Sequence, residues 1–116
     1  MPSDIITLHS IEVQRLIHVV VTASKIKRRM DSNLDVAIGR AEFSLAKAWS
    51  KMYHNGEKTR EEWYLREVEF QNNPRIAYTA ETLSVERVWL EAKEAKVAAV
   101  NALVVAILSG VLSASP

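Results

Sequence analysis

The sequence contains no cysteine, which excludes disulfide bonds and thiolate metal sites. Glycine and proline are scarce, with three of each, and only Pro74 lies away from the termini, where it can interrupt a helix. No segment alternates apolar and polar residues with period two, so we predict no β-strand. The chain of 116 residues is 48% apolar, which fits one helical domain over residues 1–116.

Neither sign of charge is in clear excess. The chain has 15 basic and 14 acidic residues, for a net charge of +1. Such a balance provides no global attraction to nucleic acid or to an anionic membrane, so any attraction must come from a local cluster. Because no basic stretch precedes an apolar run at the N-terminus, we expect no secretory signal peptide and a cytoplasmic location.

Apolar residues recur at steps of three and four along most of the chain, which predicts α-helices. We expect helices over about residues 10–53, 59–71 and 74–112. Asp31-Ser32-Asn33 favours caps and turns, which leaves open whether the first helix breaks near residue 32. Gly56 marks the clearest turn, and the segment from Thr59 to Glu62 has the pattern of a capping box.

The last helix ends in an apolar stretch, Val97–Leu112, and it carries bulky residues at steps of seven, the spacing of a coiled coil. An antiparallel hairpin would place Leu16–Val21 beside this stretch. We therefore predict an all-α fold, a long antiparallel helical hairpin with a short intervening helix, assembled into an oligomeric bundle. The predicted oligomer interface comprises Leu16, Val20, Val97, Val104, Ile107 and Val111. A C-terminal membrane anchor is an alternative use of the stretch.

Patterns that carry catalysis or bind metals are missing from the sequence. The histidines His9, His18 and His54 never follow a glutamate at the spacing of a bundle-type metal site. There is also no Gly-rich phosphate loop, Walker lysine or nucleophile elbow. We therefore predict a protein that is not an enzyme, with no catalytic residues, no metal and no cofactor.

A basic cluster in the first helix is the best candidate site. Lys25, Lys27, Arg28 and Arg29 together can neutralise several phosphates of a nucleic acid or another anion. In the short helix, the side chains of Trp63 and Tyr64 could stack on a base or contact a partner. The alternatives are a solvated helix face for the basic cluster and packing onto the hairpin for Trp63.

Three segments together resemble the small helical-hairpin proteins of tailed bacteriophages. They are Ala41–Trp49, Thr59–Glu62 after the Gly-bearing turn, and Arg87–Lys93. The resemblance covers roughly residues 36–103, and the chain differs by an extra apolar N-terminal helix and an apolar C-terminal end. Because that family is commonly encoded near recombination and single-strand-binding genes, the resemblance implies an accessory protein in an infected bacterial host, with no catalytic residues to transfer.

The leading hypothesis is a non-enzymatic, homo-oligomeric accessory protein that binds DNA or a DNA-bound protein in recombination or replication. The alternative is a counter-defence protein that inhibits a host immune protein or sequesters a nucleotide signal. In that case Lys25, Arg28, Arg29 or Trp63 would line a pocket at an oligomer interface. A further alternative is a membrane-associated protein anchored by Val97–Leu112.

Overall fold

The protein is described by a computed structural model that covers the backbone of residues 2–114 and the side chains of residues 7–110. The chain forms α1 (Pro2–His54), α2 (Arg60–Asn72), a short 3₁₀ helix (Pro74–Ala77) and α3 (Ala80–Ala114). Within the described residues there is no β-strand, and the predicted all-α fold with paired long helices is confirmed.

Helix α1 begins earlier than the predicted start near Ser10. The earlier start is compatible with Pro2 at the first helical position, because the φ of proline is fixed at a helical value. Proline also lacks an N–H group, and the N–H groups of the first turn have no partner within the helix. The helix also runs without a break through residue 32. Asp31 does not compete for the backbone there, because its carboxylate accepts hydrogen bonds from the Trp89 indole at 2.6 Å and from Lys27 at 3.1 Å.

The turn after α1 follows the prediction for Gly56. This glycine has a φ of 74°, in the left-handed region. Its N–H donates to the carbonyl of Tyr53 at 3.1 Å, and the N–H of Glu57 donates to the carbonyl of Met52 at 2.9 Å. These two bonds are those of a Schellman motif, which satisfies the last carbonyls of a helix.

The predicted cap of α2 is confirmed at Thr59. Its hydroxyl oxygen accepts a hydrogen bond from the N–H of Glu62 at 3.2 Å. The Glu62 carboxylate takes part by accepting a hydrogen bond from the Thr59 hydroxyl, with a separation of 3.3 Å. The N-terminus of α2 is thus fixed by its own sequence.

The predicted start of the last helix at Pro74 is wrong. Pro74 opens only the short 3₁₀ helix, and Tyr78 then adopts an extended conformation. Helix α3 begins at Ala80, after Thr79. The hydroxyl of Thr79 accepts from the N–H of Thr82, and the hydroxyl of Thr82 accepts from the N–H of Thr79, each at 3.3 Å. This reciprocal capping box sets the start of α3 six residues after Pro74.

The chain divides into two compact units. Unit 1 comprises Met1–Asp31 and Val88–Pro116, and unit 2 comprises Ser32–Arg87. In unit 1, α1 and α3 run antiparallel, because Trp89 contacts Asp31 and the imidazole of His9 lies where a side chain at Gly110 would stand. The predicted placement of Leu16–Val21 near the apolar end of the last helix is therefore confirmed.

The inner seam of unit 1 is the set of buried and half-buried residues between α1 and α3. They recur at alternating steps of three and four, as in a coiled coil. On α3 they are Trp89, Ala92, Lys96, Ala99, Leu103, Ala106 and Gly110, and on α1 they are His9, Val13, Leu16, Val20, Ala23, Lys27 and Met30. On α3 the seam thus includes four small residues, Ala92, Ala99, Ala106 and Gly110, and the bulky residues predicted at steps of seven lie beside it.

Unit 2 also has a core of small residues. Ala37, Ala41 and Ala77 are buried, and Thr82, with 1% of its surface exposed, is its most completely buried side chain. Thr82 can be buried because its hydroxyl is paired with the N–H and the hydroxyl of Thr79. Helix α2 contributes no buried residue, although several of its side chains are half-buried.

Candidate anion-binding surface

Three cations of the predicted cluster form an exposed surface on α1, which we name the basic face. Lys25, Arg28 and Arg29 are all exposed. They stand at positions i, i+3 and i+4, which share one side of a helix. Among the described residues, none of the three has an acidic partner within ion-pair distance. The basic face therefore presents positive charge that no acidic side chain of the described residues neutralises in an ion pair.

Lys27, the fourth member of the predicted cluster, does not share this surface. It lies half-buried in the inner seam, where its ammonium is 3.1 Å from a carboxylate oxygen of Asp31. Its charge is therefore paired with Asp31 within the fold. The structure separates Lys27 from the basic face because a helix turns about 100° per residue, which places Lys27 roughly opposite to Lys25.

Asp31 is the centre of a polar cluster that includes the inner-seam residues Lys27 and Trp89. The hydrogen bond from the Trp89 indole lowers the pKa of its carboxyl group most, and the hydrogen bond from Lys27 lowers it further. The charge of Lys96 acts in the same direction. Polar residues at seam positions fix the register of paired helices. The cluster therefore fixes how α1 and α3 align in unit 1.

The two aromatic residues predicted to stack on a ligand have different environments. Trp63 is half-buried, its indole N–H donates to Glu67 at 2.9 Å, and its ring centre lies 6.2 Å from that of Tyr53. It therefore holds α2 against α1, which agrees with the packing alternative. Tyr64 is 65% exposed and faces solvent.

An aromatic groove in unit 2 was not predicted. It has a volume of about 310 Å³ and is lined by Glu42, Leu45, Ala46, Trp49, Trp63, Arg66, Glu67, Phe70 and Gln71. The guanidinium of Arg66 lies 5.0 Å from the ring centre of Trp49, and the ammonium of Lys58 lies 5.2 Å from it. The sequence signal for the groove is the spacing of Trp63, Arg66 and Phe70, which puts them on one side of α2.

The predicted interface residues fall into separate places. Leu16 and Val20 lie in the inner seam, so they pack within the chain. Val97, Val104 and Ile107 are exposed on the outside of α3. Val111 lies outside the residues whose side chains are described.

Two negative findings concern the described part of the chain. There, no group of three or more histidine or acidic side chains stands close enough to hold a metal ion. No helix there combines the length and the apolar character that crossing a bilayer requires.

Comparison with known proteins gave no relatives: no family, no curated protein and no solved structure matches the chain.

Proposed function

We propose that the protein works by binding, without catalysis, and that its basic face binds the phosphate backbone of DNA. The observation that carries the proposal is the exposed charge of Lys25, Arg28 and Arg29 on one side of α1. A nearly neutral chain has no general attraction to polyanions, so a local patch of this kind would dominate any encounter with DNA.

The chemistry of the three side chains fits phosphate groups. Two of them are arginines, whose planar guanidinium groups donate two parallel hydrogen bonds to a phosphate group. No aromatic side chain alternates with the cations, so stacking on bases plays no part at this surface. Binding would therefore be independent of sequence, and phosphate contacts would supply its affinity.

A role in recombination or replication extends this proposal. Its support is the sequence resemblance to small helical-hairpin proteins of tailed bacteriophages, which provide no catalytic residues to transfer. In that setting the protein would act in the bacterial cytoplasm as an accessory factor on DNA.

The test compares two charge-matched variants in a fluorescence anisotropy titration of labelled duplex DNA. One variant replaces the basic face as Lys25→Gln, Arg28→Gln and Arg29→Gln. The control replaces three exposed cations elsewhere, Lys47→Gln, Lys51→Gln and Arg60→Gln. Both variants lose the same net charge, and glutamine keeps a similar helix propensity.

We expect the basic-face variant to lose binding while the control keeps most of it. Equal losses in the two variants would mean that net charge alone governs binding, and the proposal would then be wrong. Circular dichroism of both variants checks that the helices remain intact.

A further inference from the structure

The outside of α3 carries a second apolar surface, which we name the outer stripe. It consists of Leu90, Val97, Val100, Val104 and Ile107, whose exposed fractions range from 37% at Val100 to 53% at Val97. These residues recur at steps of three, four and seven, the repeat of a helix-packing seam. A row of bulky apolar side chains with this repeat is suited to pack against another helix.

The outer stripe lies next to the inner seam around the circumference of α3. Each of its residues directly follows an inner-seam residue, as Val97 follows Lys96 and Val104 follows Leu103. One residue corresponds to about 100° around a helix, so the stripe lies roughly at right angles to the inner seam. A helix at the corner of a four-helix bundle needs two seams at about this angle, because it contacts two neighbours.

Helix α1 extends the same apolar surface. Ile17 and Val21 directly follow the inner-seam residues Leu16 and Val20, and both are exposed. Because α1 and α3 run antiparallel in unit 1, a step of one residue turns both helices towards the same side of the pair. The outer stripe and these two residues therefore belong to one face of the helix pair.

The chain exposes more surface than a folded monomer of its mass is expected to expose. A folded monomer of this mass is expected to expose about 6,400 Å². The chain exposes 8788 Å². The excess, on the order of 2,400 Å², is larger than the roughly 800 Å² that each partner contributes to a standard interface. The exposed surface of one copy is therefore large enough to accommodate a standard interface.

We propose that a second copy of this chain covers the outer stripe, so that the helix pairs of two unit 1 regions form a four-helix bundle around a two-fold axis. The helical repeat of the stripe calls for a helix as partner, and the same face on a second copy offers two. A net charge of +1 opposes self-association only weakly. A groove of about 440 Å³ beside the stripe, lined by Leu90, Lys93, Glu94, Val97, Ala98 and Asn101, would receive side chains of the partner.

Arg28 directly follows the inner-seam residue Lys27, so it lies on the same face of the helix pair as Ile17 and Val21. Sedimentation tests the outer stripe and the DNA titration tests the basic face, so each proposal can fail without the other.

The test is analytical ultracentrifugation of the full chain without detergent, over a wide range of protein concentrations. We expect the wild-type protein to sediment as a dimer, at twice the chain mass of 13.1 kDa. Val104→Glu places a charge at the centre of the stripe and should raise the dimer dissociation constant about a hundredfold. The matched control is Val105→Glu, since Val105 is also exposed but does not belong to the stripe, and this variant should remain a dimer.

Val97→Gln is the second variant, because a neutral polar side chain at this exposed position disturbs the fold least. We expect it to weaken the dimer while circular dichroism stays unchanged. A wild-type monomer at all concentrations would overturn the proposal, since another protein or a lipid surface would then have to cover the stripe. Equal behaviour of Val104→Glu and Val105→Glu would overturn it as well.

Discussion

The small residues of the inner seam lead to a specific prediction about stability. Ala99 is only 8% exposed and lies where α1 and α3 pack together in unit 1. Ala99→Leu would add side-chain volume to a filled seam, and overpacking of this kind costs about 1–3 kcal/mol. For a chain of this size we expect the melting temperature to fall by about 4–12 °C.

The matched control for this change is Ala95→Leu on the same helix. Ala95 is exposed, and leucine is nearly as good a helix former as alanine, so the expected effect is within about 0.5 kcal/mol. Thermal and urea unfolding, followed by circular dichroism at one fixed protein concentration, would measure both variants. If Ala99→Leu and Ala95→Leu had the same free energy of unfolding, the inner seam would not be packed as described.

Further predictions concern glycines and Asp31. Gly39→Ala should stabilise the protein by about 0.5–1 kcal/mol, because an added Cβ would meet nothing within 4 Å. Gly56→Ala should destabilise it by about 1–2 kcal/mol, because φ is 74° there. The melting temperatures of the two variants should therefore move in opposite directions, and a shared direction would contradict the turn geometry. The folded state lowers the pKa of Asp31, so the carboxylate's contribution is present above about pH 4 and is lost as the pH falls through the folded pKa. In urea unfolding, the free energy of unfolding of Asp31→Asn should fall less than that of the wild-type protein as the pH is lowered from neutral to acidic. A difference between the two free energies that stays constant across this range would contradict the prediction.

Local signals in the sequence predicted most of the helix boundaries. The positive φ of Gly56 and the cap at Thr59 follow from residues within one turn of the chain, which is why both could be predicted. The start of α3 could not be predicted in the same way, because its capping box uses Thr82 where glutamate or glutamine is the usual partner.

The pairing of the helices was harder to predict in detail. Bulky residues at steps of seven pointed to a seam through Val97 and Val104, but the seam within the chain uses Ala92 and Ala99 beside them. An apolar pattern shows that a helix side is suited to packing, but it does not show which partner packs there. A helix with two apolar sides therefore leaves the choice open until the alignment with α1 is known.

The candidate site was predicted in part. Charge density alone pointed to Lys25, Arg28 and Arg29, and the structure leaves them exposed. The separation of Lys27 from them was missed, although the sequence carries a signal for it, because Asp31 stands four residues after Lys27, at the spacing of an ion pair on a helix. The groove beside Trp49 depends on α2 folding back against α1.

The measurement that tests the proposed function most directly is the salt dependence of DNA binding by the wild-type protein. Three phosphate contacts predict that the logarithm of the binding constant falls against the logarithm of the salt concentration with a slope of about −2.7 per chain. Replacing Lys25, Arg28 and Arg29 should remove this dependence and leave a slope near zero for any residual binding. A steep slope that persists in this variant, or no measurable binding by the wild-type protein at low salt, would contradict the proposal that the basic face binds DNA.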